Sequence, residues 1–143
     1  SYIKNRKSRG FSMSLVEIHA RLANTASLFL AVLAVWAIIS RVRTRPLDSN
    51  WFGAAVIGEL LLLAQFILGW VLYFEGYGVV LPRSYLHILY GAVAVIALPA
   101  GYMYFAQLEN ENVKSIALAF ICIFLWGIVQ RAGYVATTVP FTG

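Results

Sequence analysis

Charge is what this sequence has least of. Only 12% of its 143 residues are Asp, Glu, Lys or Arg, while 61% are hydrophobic, against roughly 25% charged and 45–50% apolar in soluble domains. A chain this short needs more polar surface than core if it folds in water. The composition, with a mean hydropathy of +0.77, therefore excludes a soluble globular fold and points to an integral membrane protein. The one cysteine, Cys122, lies in an apolar run, which excludes a disulfide framework, a thiolate metal site, an iron–sulfur cluster and thioether-linked haem. No Gly-rich phosphate loop, Ser-x-x-Lys or His-Glu-x-x-His occurs, so hydrolase, nucleotide and protease chemistries have no motif to rest on. Any enzymatic chemistry must then belong to a cofactor. Acidic residues are also few, 6 against 11 Lys and Arg. The basic excess clusters at the edges of the apolar runs, which reads as membrane flanking and not as a nucleic-acid surface. Membrane lipid is the expected surrounding, with a homodimer or a larger membrane complex as the assembly, in a prokaryotic plasma membrane or an organelle inner membrane.

What is present is long apolar runs. A span needs roughly 20 mostly apolar residues, and four fit, at about 15–40, 52–75, 84–106 and 114–134. Residues 1–14, with Lys4, Arg6, Lys7 and Arg9 and no apolar period, read as a basic polar N-terminal tail ordered by what it touches. The run Leu22–Ile39 is too long for a signal peptide and passes directly into Arg41, Arg43 and Arg45, so a retained span is expected. Pro46 with Asp48-Ser-Asn50, the Gly76–Arg83 stretch, and Leu108–Asn112 break the runs. Short connections make consecutive helices antiparallel neighbours. The expected fold is an all-α, up-down-up-down four-helix transmembrane bundle over 15–143, and repeated patterns support its origin from a duplicated two-helix unit. Trp36, Trp51, Tyr102 and Tyr104 are expected to ring one interface, and Trp70, Tyr73, Tyr77, Tyr85, Trp126 and Tyr134 the other.

The chain has two histidines, His19 and His87, each near the start of an odd-numbered span. Both rings then enter from the same side at similar depth. His19 is followed on its own helical face by Ala23, Ala26 and Leu30, and His87 at the same offsets by Gly91, Ala94 and Leu98. With neighbouring axes 8–10 Å apart, the diagonal of a square bundle is roughly 11–14 Å, a gap that suits a planar macrocycle held between two imidazoles. Small residues below each ligand leave room for the ring plane. A bis-histidine haem b, with His19 and His87 on the iron, is the direct chemical inference. Arg83, one turn outside His87, is the first candidate partner for the propionates, with Arg21, Arg131 and Gln130 at the same end; Arg21 also lies four residues from Glu17 and can pair with it. Other readings stay open. Histidines at headgroup level can be interfacial polar residues, small residues can serve helix packing, and a magnesium chlorophyll-type pigment also accepts histidine.

Glu59 lies about seven residues into the second span, roughly 10 Å deep, where a carboxylate is costly and is expected to be neutral or paired. Pro99, at similar depth in the third span, frees the carbonyl of Val95, and Glu59 is expected to donate a hydrogen bond near that kink. The alternative is a proton-relay or quinone-site acid. Gln65, Asn24, Thr25 and Ser27 are expected to make hydrogen bonds between helices.

The stretch Leu62-Leu-Ala-Gln65-Phe-Ile-Leu-Gly69-Trp-Val-Leu, followed by Tyr85-Leu-His87-Ile-Leu-Tyr-Gly-Ala92, resembles the Gln-x-x-x-Gly helix and second haem-ligating histidine of the haem A synthase family. Glu17-Ile-His19-Ala-Arg21 resembles that family's first ligand motif, although one residue separates Glu17 from His19 where the family has two, and Ala20 precedes Arg21. The resemblance covers about 15–105 and corresponds to one four-helix half of the eight-span family. It implies that His19 and His87 ligate haem, that Glu17 sits beside the ring as a candidate catalytic group, and that the histidine side faces outward. The expected function is a membrane cytochrome b-type module serving electron transport or, as an oxidoreductase, haem modification. A non-catalytic accessory subunit of a respiratory or photosynthetic complex is the alternative.

Overall fold

The computed structural model describes residues 2–76 and 84–137, and the side chains of 15–76 and 84–136. Among these residues the chain forms four helices: α1 (Tyr2–Val42), α2 (Ser49–Phe74), α3 (Ser84–Phe105) and α4 (Glu111–Thr137). The stretches Leu15–Val42, Ser49–Phe74, Ser84–Phe105 and Glu111–Ala136 are each long and apolar enough to cross a membrane. The shortest, 22 residues, spans roughly 33 Å, just over the ~30 Å of a bilayer's hydrocarbon core.

The helix ends follow local chemistry. Asp48 caps α2, its side chain accepting the N–H of Trp51 at 3.1 Å. Asn110 does the same for α4, its Oδ1 accepting from Asn112 (3.0 Å) and Val113 (3.4 Å). After α2, Gly76 takes φ +98, a conformation that favours glycine and ends helices. The start of α1 differs from expectation. The helix begins at Tyr2, so the backbone of the basic segment is helical, because extending an existing helix costs far less than nucleating one.

Each helix packs against two others: α1 against α2 and α4, and α3 against α2 and α4. This is a square bundle with α1 and α3 on one diagonal. Its core is built from Leu30 and Leu33 of α1, Leu62 of α2, Leu98 of α3, and Leu118, Cys122 and Leu125 of α4. At Gly101, α3 lies so close to α4 that a Cβ would run into Cδ1 of Ile121. Trp51 departs from its expected place in an interfacial ring: it is 1% exposed, and its indole N–H donates to the carbonyl of Leu33 at 3.1 Å. A partner inside the bundle removes the indole's need for the interface. Trp36, Tyr73, Tyr85, Tyr102, Tyr104, Trp126 and Tyr134 are exposed, and Trp70 is half-buried. Tyr77 lies outside the described residues.

Candidate functional site

The two histidines meet. His19 of α1 and His87 of α3 face each other across the bundle, with ring centres 6.1 Å apart and ring planes at 72°. Both are half-buried. The predicted helical faces run inward beneath them: Ala26, Leu30, Ala94 and Leu98 are buried, and Ala23 and Gly91 are half-buried.

The two rings are held differently. His87 Nδ1 lies 2.9 Å from the carbonyl oxygen of Ala132 in α4. A carbonyl can only accept, so Nδ1 carries the hydrogen, and in the neutral ring Nε2 keeps its lone pair. This is the outer-sphere bond that typically orients a metal-ligating imidazole. His19 Nδ1 is buried and has no hydrogen-bond partner among the described residues. Its ring lies against Gly69 of α2, where a Cβ would stand 3.4 Å from Cε1 and 4.0 Å from Nε2. Gln65, one turn from Gly69 on the same face of α2, has a buried Oε1 that also lacks a partner.

Imidazole nitrogens are donors that haem iron takes, and two rings 6.1 Å apart would hold one such metal if a nitrogen of each turned to it. Among the described residues no group of three or more His, Cys, Asp and Glu is placed to hold a metal ion. A macrocycle such as haem would bring the remaining ligands with it. The donor set fits such a group, and the orphaned Nδ1 of His19 fits a site with a further component.

No family model, curated protein or solved structure matches this chain.

Several predicted residues stand elsewhere than the pattern implied. Glu17 and Arg21 form an ion pair at 2.6 Å with side chains 61% and 78% exposed. The pair lies on the outer surface of α1, because Glu17 and Arg21 are each two residues from His19 and so point away from its face. Glu17 does not sit beside the histidines. Arg131 is exposed, its guanidinium 5.0 Å from the centre of the Tyr134 ring. Arg83 lies outside the described residues. Gln130, although exposed, donates to Ser27 Oγ at 2.6 Å, tying α4 to α1 as a bond between helices; Thr25 instead bonds its own helix at Arg21. Gly91 also has a different neighbour from the one expected: the ring of Phe66 lies 3.3 Å from where its Cβ would be. The space left by its missing side chain is taken by α2.

Sequence reasoning missed Gly69 as the seat of His19 and Ala132 as the anchor of His87. Gly69 stood in view within the Gln-x-x-x-Gly stretch. A main-chain carbonyl carries no sequence signal.

Glu59 and Pro99, at similar depths, line one cavity, but the expected hydrogen bond is not formed. Glu59 Oε2 is buried and has no hydrogen-bond partner among the described residues. The cavity, of ≈ 360 Å³, lies between α2 and α3 and reaches Leu118 of α4.

Proposed function

We propose that this chain is an integral membrane b-type haem protein, with one haem held between His19 and His87. The observation that carries this reading is the pair itself: two imidazoles 6.1 Å apart across the diagonal, one with its tautomer set by a carbonyl. Haem supplies one-electron chemistry. The residues around it orient and enclose. Ala132 fixes the His87 ring, Gly69 lets His19 approach α2, and the packed layer of Ala26, Leu30, Ala94 and Leu98 closes the interior to water. Glu17 stands outside the bundle in its ion pair with Arg21, so the pair has no acid beside it from the motif that resembles haem A synthase. This arrangement favours electron transfer over haem modification.

A reduced-minus-oxidised absorption spectrum of the purified protein tests the proposal. A b-type band that disappears in both His19→Ala and His87→Ala, and persists in Glu17→Gln, is the expected result. Absence of the band in the parent protein, or its survival in both histidine variants, overturns it. The histidines are then polar contacts between helices, and the accessory-subunit reading takes precedence.

A further inference from the structure

The cavity at the other end of the bundle has a composition of its own. Its walls are Trp51, Phe52, Ala55, Val56 and Glu59 of α2, Leu98, Pro99 and Tyr102 of α3, and Leu118 at its base, with Gly53 at the edge. Polar side-chain groups are few. The Trp51 N–H is already donated to Leu33, which leaves the Glu59 carboxyl and the Tyr102 hydroxyl. The Phe52 and Tyr102 rings meet edge to face with centres 5.6 Å apart. Val56 and Tyr102 are more than half exposed, so the cavity opens onto the outer surface of the bundle. Glu59 is ten residues from Ser49, where α2 begins, roughly 15 Å along its axis, so in a bilayer the opening faces hydrocarbon.

We propose that this cavity binds a lipid-soluble molecule of the quinone class, a flat apolar ring bearing a carbonyl, with Glu59 donating a hydrogen bond to that carbonyl. A charge on Glu59 at this depth is costly, which makes the carboxyl a neutral donor. Its buried Oε2 has no hydrogen-bond partner among the described residues, and a buried polar group without a partner costs more than the bond it forgoes. The terminal torsion of a glutamate is broad and two-fold, so either oxygen can turn to a ligand. An anionic phospholipid headgroup brings charge to an apolar wall, and a plain hydrocarbon leaves the carboxyl unsatisfied. A ring with a carbonyl meets both the walls and the acid. This inference does not rest on the haem.

The test uses the full chain in phosphatidylcholine nanodiscs, labelled with a photoreactive azido-benzoquinone carrying a decyl tail and competed with decylubiquinone. Labelling is expected within 51–59 and 98–102, suppressed by the competitor. Glu59→Leu is expected to weaken binding about tenfold, the size of one hydrogen bond lost from an apolar site. Glu59→Gln, which keeps a donor, stays within about threefold of the parent. Ala55→Phe fills the cavity and abolishes specific labelling, which keeps the test decisive if Glu59→Leu fails to fold. His19→Ala leaves labelling unchanged, which separates this result from the fate of the haem reading. Label spread over the outward residues without competition, or equal binding by Glu59→Leu and Ala55→Phe, overturns the proposal.

Discussion

His19 and His87 occupy matching places in the sequence but have unlike surroundings. His87 is fixed by the Ala132 carbonyl at 2.9 Å, whereas His19 is placed by packing against Gly69. The site therefore depends on Gly69 in a graded way. Gly69→Ala puts a Cβ in ordinary contact with the imidazole, so the b-type band should persist with a stability change within about 1 kcal/mol. Gly69→Leu drives the His19 ring from its place, and the absorption spectrum should lose the band while far-UV circular dichroism stays helical. Both histidines were legible in the sequence because a chain with so few polar residues has little reason to carry one inside a span. Their supports were not. Ala132 is 45 residues from His87 and acts through its main chain, while Gly69 is read only once α2 and α1 are known to touch. The outward position of Glu17 follows from helical geometry alone, since residues two apart do not share a face.

At the scale of the helices, α3 and α4 come close at Gly101. A Cβ at Gly101 collides with Ile121 Cδ1, the end of a side chain that can partly move. Gly101→Ala should destabilise the bundle by about 1–3 kcal/mol, and the added change Ile121→Val, which removes Cδ1, should recover much of that loss. Thermal unfolding of the two single variants and the double variant measures the coupling; additive effects would count against the close crossing. The α1–α2 junction rests on the cap at Asp48 and the inward Trp51. Trp51→Phe forgoes the bond to Leu33 and should cost about 0.5–1.5 kcal/mol, and Asp48→Ala about 1 kcal/mol. The element boundaries were readable because Pro46, Asp48 and Gly76 act locally. Trp51 was placed at the interface because tryptophan in a membrane chain commonly goes there, and only a carbonyl in the neighbouring helix draws it inside.

For the molecule as a whole, a ligand that binds only the folded state adds stability by mass action, about 2.7 kcal/mol at a hundredfold excess over its dissociation constant. Haem-loaded protein should therefore melt well above haem-depleted protein. The difference should vanish in His19→Ala, whose melting temperature should not respond to added haem. A shift of equal size in that variant would show that haem binds elsewhere.

The sequence by itself determined that four apolar helices form, where the loops between them break the chain, and that two histidines lie at one end on matching faces. These properties arise from composition, from periodicity and from capping residues within a few positions of each other. Only the tertiary structure decided which groups complete the site. It brought the two rings to 6.1 Å, seated one on Gly69, tied the other to Ala132, filled the space beside Gly91 with Phe66, and left Glu59 lining a cavity without a hydrogen-bond partner. Each of these depends on the rotation and closeness of packed helices, and the pattern along a single helix fixes which face turns inward but not what it will meet there.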